Sequence, residues 1–353
     1  MKKGLFLLMV CALLLQISAV SALAIGAKTQ HYTITDLGTL PGGSYSYGLG
    51  INNSGQITGT SATAGGAYHA FLYSKWTGMI DLGTLPGGSD SEGESINDLG
   101  QVTGYSSTAA DPNGDAFLYC EWTGMKDLGT LGGSYSEGTG INDLGGVTGY
   151  SSIEDLGPAS PFLYSQRTGM KNLGSLGGIL AYSTGINNFG QVTGYSSTSG
   201  VQGELAFLYS ARTGMKGIGT IIGGNFSWGN AINDLGQVTG GSTIAGDALY
   251  HAFLYHAGTG MQDIGALGDY SVGNGINNFG QVTGWYLSLE SPNYTSHAFL
   301  YSAGKMIDLM SLLPASSGWT VLYTGTGIND LGQITGYGVI NGQEHAFLMT
   351  PVF

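Results

Sequence analysis

The phrase Gly-Ile-Asn-(Asp/Asn)-x-Gly-Gln-(Val/Ile)-Thr-Gly recurs seven times in close copies, its isoleucine at Ile51, Ile96, Ile141, Ile186, Ile232, Ile276 and Ile328. The intervals are 45, 45, 45, 46, 44 and 52 residues. A unit of this size buries little apolar surface alone, so its copies must stack. A period of roughly 40–50 residues points to an array of small antiparallel sheets. Gly makes up 64 of 353 residues and charged residues only 9%. That balance suits short strands joined by tight turns.

Each period reads as four strands. In the fourth, Thr184-Gly185-Ile186-Asn187 and Gln191-Val192-Thr193-Gly194-Tyr195-Ser196 flank Asn188-Phe189-Gly190, a hairpin turn in which glycine takes the left-handed conformation. The turn returns as Asn53…Gly55, Asp98…Gly100, Asp143…Gly145, Asp234…Gly236, Asn278…Gly280 and Asp330…Gly332. The third strand, Ala206-Phe207-Leu208-Tyr209 and its counterparts such as His69-Ala70-Phe71-Leu72, is apolar at successive positions, so both its faces must be covered. The fourth strand carries the Asp-Leu-Gly signature, as in Met79-Ile80-Asp81-Leu82-Gly83. Four strands in about 45 residues match one propeller blade.

The copies do not count evenly. The Phe strand occurs seven times, at Phe71, Phe117, Phe162, Phe207, Phe253, Phe299 and Phe347, but the Asp-Leu-Gly strand follows only the first six. Its seventh copy stands at the opposite end, in Tyr32-Thr33-Ile34-Thr35-Asp36-Leu37-Gly38. The expected fold is therefore all-β: a seven-bladed β-propeller over residues 25–353, its last blade built from residues 31–38 and roughly 322–353.

Residues 1–24 read as a secretory signal peptide. Lys2 and Lys3 precede an apolar run from Gly4 to Ile17, and Ser21-Ala22-Leu23-Ala24 offers a cleavage site. The alternative is an uncleaved membrane anchor; no second apolar span of about 20 residues occurs. Cleavage after Ala24 leaves 8 basic and 23 acidic residues, a net charge of −15, which repels phosphate backbones and argues against nucleic acid as a partner. One cysteine then remains, Cys120, aligned with Ser74, Ser165 and Ser210 and expected to be small, buried and unpaired.

The Ile-Asn-Asp-x-Gly-Gln-Val-x-Gly phrase, with His-Ala-Phe-Leu-Tyr about 18 residues on, resembles the HAF-repeat family of extracellular repeat proteins over all seven repeats. Asp115, Ser160 and Leu205 depart from its His, and Pro161 from its Ala. The resemblance implies a secreted or surface-borne protein and carries no catalytic assignment. The Trp-Asp pair of WD40 blades is missing.

In a propeller, the loops between strands two and three and the links between blades share one face. Only those segments vary in length, the loops from 8 to 12 residues, whereas the Asn/Asp-x-Gly turns never change. Binding belongs on the variable face. That face carries Tyr45, Tyr47, Tyr135, Tyr182, Phe226, Trp228, Tyr270, Trp319 and Tyr323, which could stack on sugars or on a protein partner, or else wedge between blades. Asp90, Glu92 and Glu94 could hold Ca²⁺ or form a solvated acidic loop. The recurrent His69, His251, His297 and His345 lie in different blades and are read as bonding nearby backbone, not as a metal or catalytic set. No nucleophile elbow, zinc motif or phosphate loop occurs.

These features lead to a monomeric, secreted or cell-surface scaffold, not an enzyme, that binds a protein or a carbohydrate through its variable face. Two alternatives stand beside it. One is a glycoside hydrolase or lyase using acids at the channel mouth, where Asp90, Glu92, Glu94 and Glu137 are the available carboxylates. The other is a structural surface-layer or matrix component.

Overall fold

In the computed structural model, which describes residues 31–352 except 110, 112, 156, 200 and 291–293, twenty-eight strands form seven four-stranded antiparallel sheets. The expected signal peptide, residues 1–24, lies outside the described residues. The first blade is β2 (Ser46–Ile51), β3 (Ile57–Ala62), β4 (Tyr68–Ser74) and β5 (Gly78–Asp81), hydrogen-bonded in chain order, and five further blades repeat it. The seventh contains β26 (Trp319–Ile328), β27 (Ile334–Ile340) and β28 (Gln343–Val352), and its outer strand is β1 (His31–Asp36). β1 pairs with β28 from His31↔Val352 to Asp36↔Phe347. The ring is thus closed by the N-terminal strand. The longest blade link, before β26, contains a 3₁₀ turn at Leu309–Leu312 capped by Asp308, whose carboxylate accepts from the Met310 N–H at 2.6 Å.

The core lies between blades. The seven Phe side chains are fully buried, each with the Val or Ile that precedes Thr-Gly in its own blade. Gly93 shows how closely the sheets approach: a Cβ there would come 2.3 Å from the Thr58 Oγ1 of the preceding blade. That hydroxyl is itself buried and donates to the Phe71 carbonyl at 2.8 Å. Within a blade, Gly104 passes so near the Glu92 carbonyl that a Cβ would stand 1.8 Å from it. The Thr-Gly of the phrase is therefore a packing requirement.

The Asn of the Ile-Asn core closes a circle around the lower end of the channel. Asn52, Asn97, Asn142, Asn187, Asn233, Asn277 and Asn329 each donate from Nδ2 to the backbone carbonyl of the next, and Asn329 returns to Asn52 at 2.9 Å. The residue after each Asn makes a second circle, its side chain accepting the backbone N–H of the turn before it, from Asn53 N–H on Asp98 to Asp330 N–H on Asn53. The invariant turns are explained by these two rings of hydrogen bonds.

Three of the recurrent His pair with the Asp of Asp-Leu-Gly: His69 with Asp81, His251 with Asp263 and His345 with Asp36, each at 2.9 Å. His297 instead stacks on Tyr286, whose hydroxyl occupies Asp308. The expected backbone partners are corrected: the fourth strand, hydrogen-bonded to the His-bearing strand, carries the Asp within reach. Cys120 is half-buried at the end of its strand and is not a core residue.

Candidate functional site

The first strand of each blade runs down the channel wall from the variable face. Immediately before the Gly-Ile-Asn, or its variants, the strand bulges and one residue leaves the ladder toward the lumen. These residues are Leu49, Glu94, Thr139, Thr184, Asn230, Asn274 and Thr326, around a cavity of about 270 Å³. Five of the seven donate to a backbone carbonyl of the next blade: Thr139 to Ser183 (2.8 Å), Thr184 to Gly229 (2.7 Å), Asn230 to Gly273 (3.0 Å), Asn274 to Gly325 (3.2 Å) and Thr326 to Gly48 (2.7 Å). Leu49 and Glu94 depart from the pattern. The wall around Glu94 displaces most of its water, and Glu92 and Glu137 stand nearby, so its carboxyl titrates well above the usual range. In the protonated form it shares the donor chemistry of its ring.

Two residues further up the strand sits a second ring: Tyr47, Glu92, Glu137, Tyr182, Trp228, Val272 and Thr324. Opposite them on the second strands lie Thr60, Tyr105, Tyr150, Tyr195, Gly241, Trp285 and Tyr337. Aromatic contacts run through this collar in three arcs. Tyr45, Tyr47 and Tyr337 join blades one and seven (centroids 5.2 and 4.5 Å apart), and Tyr323 adds to Tyr337 at 6.1 Å. Tyr135, Tyr150, Tyr182 and Tyr195 join blades three and four. Trp228, Tyr250, Tyr270 and Trp285 join blades five and six.

The carboxylates occupy the remaining sector. Burial, then the charge of Glu137, raises Glu92 to about 7. Burial also raises Glu137, against the Tyr150 hydroxyl that donates to it. Tyr105 bonds the Tyr68 hydroxyl beside them. Farther round, Glu204 accepts from Trp228 Nε1 at 3.1 Å, beside a cavity of about 420 Å³ lined by Leu180, Tyr182, Tyr195, Glu204, Trp228, Asn230 and Val272. Neither this cavity nor the channel cavity has a Lys, Arg or His in its lining.

Of the aromatics expected from sequence, Tyr45, Tyr47, Tyr135, Tyr182, Trp228, Tyr270 and Tyr323 are half-buried members of the collar. Phe226 stands half-buried just before its strand and shares none of these ring contacts. Trp319 is corrected: it packs edge-on against Phe347 at 5.8 Å in the core of blade seven, 6% exposed, and is a structural residue. The Asp90, Glu92, Glu94 set does not act together. Asp90 accepts from the Tyr68 N–H and the Ser89 hydroxyl, while Glu92 and Glu94 couple to Glu137 of the next blade. Among the described residues no group of three or more His, Cys, Asp or Glu side chains is arranged to hold a metal ion.

Sequence reasoning missed the second-strand aromatics and Glu204. A signal existed for the former: an aromatic follows Thr-Gly directly in five repeats, at Tyr105, Tyr150, Tyr195, Trp285 and Tyr337.

No family model and no curated protein matches the chain. Its structure is similar to an oligogalacturonate lyase from Vibrio parahaemolyticus, with a TM-score of 0.60 and 11% identity over 92% of this chain and 97% of that one. It is also similar to TolB from Acinetobacter baumannii (TM-score 0.46, 11% identity, 70% and 61% covered) and to a gluconolactonase from Xanthomonas campestris (TM-score 0.42, 7% identity, 92% and 91% covered). At these identities the likeness is one of fold. It nevertheless corrects the expectation that this chain is not an enzyme, because the architecture it shares with the lyase is one that an enzyme uses. The physical reason lies in the collar, where carboxyl groups with raised pKa converge across two blades.

Proposed function

We propose that the collar binds an uncharged carbohydrate chain and that Glu92 and Glu137 exchange a proton with it, so that the protein is a glycan-binding propeller with hydrolytic capacity. One observation carries this reading: Glu92 and Glu137, coupled and raised by burial, belong to the ring two residues above the channel cavity that Glu94 lines, the same ring carries Tyr47, Tyr182 and Trp228, and no cation lines that cavity or the one beside Trp228. Tyr and Trp faces stack on the apolar faces of sugars. A carboxyl raised to about 7 is suited to give up a proton to a glycosidic oxygen, while a neighbouring carboxylate that accepts a hydrogen bond serves as base or nucleophile. Glu92 suits the first role. Glu137, with the Tyr150 hydroxyl bonded to it, suits the second.

The fold neighbour's printed substrate, an oligogalacturonate, is an anion. With 23 acidic against 10 basic residues and no cation lining either cavity, the chain would repel it, so an uncharged glycan is preferred here. The HAF-repeat resemblance and the N-terminal signal pattern support action outside the cell.

The test is a panel of neutral polysaccharides, with polygalacturonate beside them, measured for binding and for release of reducing ends. Binding and cleavage of a neutral member are expected. Glu92→Gln and Glu137→Gln should lower kcat by about 10²–10⁴-fold while binding persists, and Trp228→Ala should weaken binding. Failure of every neutral glycan to bind overturns the site; binding with no cleavage, unchanged in both Gln variants, overturns the chemistry alone.

A further inference from the structure

The face opposite the collar has a different surface. The third residue of each Asn-(Asp/Asn)-x-Gly turn is Ser54, Leu99, Leu144, Phe189, Leu235, Phe279 or Leu331, and the six large ones are between 60% and 81% exposed. The two circles of hydrogen bonds hold these turns at one level around the channel mouth. The apolar tips therefore form a rigid crown. On the same face the β4–β5 turn and its counterpart in blade two raise Trp76 and Trp122, 84% and 87% exposed, with the Lys75 ammonium 4.7 Å above the Trp76 ring. Eight large apolar side chains on one face exceed the scattered exposure usual for a soluble domain.

We propose that this face docks on a lipid bilayer of low surface charge, the crown entering the interfacial layer with Trp76 and Trp122 at headgroup level. Three observations select a bilayer as the occupant. Tryptophan, with Lys75 beside it, is the side-chain chemistry of a membrane interface. The chain also enters the fold on this side: His31, at the start of β1, pairs with Val352 at the lower end of blade seven, and the apolar run from Gly4 to Ile17 lies only thirteen residues before it in sequence. A bilayer that holds that run is within reach of the crown, because the thirteen intervening residues span at most about 45 Å.

The third observation is charge. Asp98, Asp143, Asp234 and Asp330 stand in the same turns, each accepting the N–H of the turn before. A second copy docked face to face would oppose four carboxylates to four, and an anionic membrane would be repelled by the chain as a whole. A neutral surface carries neither penalty.

The experiment is vesicle flotation of the chain from residue 25 onward, which keeps all twenty-eight strands, on zwitterionic vesicles and on vesicles with added anionic lipid. Flotation with zwitterionic vesicles, insensitive to salt and weakened by anionic lipid, is the expected result. Replacing Leu99, Leu144, Phe189, Leu235, Phe279 and Leu331 together by Ser should reduce the floated fraction at least tenfold. The melting temperature should hold, since these side chains are 60–81% exposed and belong to no core cluster among the described residues. Trp228→Ala on the other face should float like the parent. A parent that does not float, a crown variant that floats equally, or binding that requires anionic lipid overturns the proposal. So does a concentration-dependent dimer that the crown variant abolishes, which would assign the face to a second copy.

Discussion

Glu92 and Glu137 occupy the same position of successive repeats, 45 residues apart in sequence and on neighbouring blades in space. Any acid in both copies meets its twin across the blade interface, and the cost of that meeting is visible in their titration. Glu92 is raised to about 7 by burial and then by Glu137, whereas an unfolded glutamate titrates near 4.5. Below about pH 4.5 both states carry the proton and the group contributes no pH dependence. Between about 4.5 and 7 the folded chain holds a proton that the unfolded chain has lost, so stability falls as pH rises through that window and levels off above it. Glu92→Gln removes the effect. Its melting temperature should match that of the parent near pH 4 and exceed it at pH 8, by a difference on the order of 1–3 kcal/mol in stability. Thermal melts of both proteins across pH 4–8 measure this, and parallel curves would show that the two carboxyl groups do not share a desolvated site.

Between strands, the repeats vary in step. Where the third strand carries His69, His251 or His345, the fourth offers Asp81, Asp263 or Asp36; where it carries Ser160 or Leu205 at that position, the fourth has Asn172 or Gly217. Blade two breaks the pairing by setting Asp115 near Asp127, and burial together with that charge raises Asp115 to about 6. Asp115→His should rebuild the ion pair of the other blades and stabilise the fold by roughly 0.5–1 kcal/mol near pH 6. Urea melts of the variant would show it, and a loss of stability would mean that the blade-two strands hold the two side chains apart.

The same alignment explains what the sequence disclosed. Turns, strands and blade count were legible because each copy repeats one local pattern. The His–Asp pairs were not, because they join strands whose register only the sheet sets. The collar was half legible: its first-strand rings stood out as a series, but Trp319 has the same residue type and points into the core, and Tyr105 and Tyr150 looked like ordinary strand residues. Distance across a blade interface, not residue type, decides which acids couple.

Closure is a property of the whole ring. β1 supplies the outer strand of blade seven, with Tyr32 buried in that blade's core and its hydroxyl bonded to the Gly332 carbonyl at 3.1 Å, the Leu37 N–H donating to the Ala346 carbonyl at 3.0 Å, and Asp36 facing His345. Without it β28 becomes an open edge and Phe347 and Trp319 lose cover, and the circle of seven asparagines no longer joins blades held at equal spacing. A chain beginning at residue 39 should lose more than about 4 kcal/mol, beyond the cost of one large core deletion, and should aggregate through the exposed edge. Loss of sequence near an end could destabilise any protein, so the decisive comparison is a circular permutant that begins at residue 39, runs to residue 352 and continues through a short turn into residues 31–38. His31 and Val352 are direct partners, so a turn of two to four residues joins them without strain. The permutant should recover the parent's melting temperature to within a few degrees while the truncated chain does not. Equal stability of parent and truncated chain would remove β1 from the role of clasp, and failure of the permutant alone would show that blade seven must receive its outer strand from a separate end of the chain.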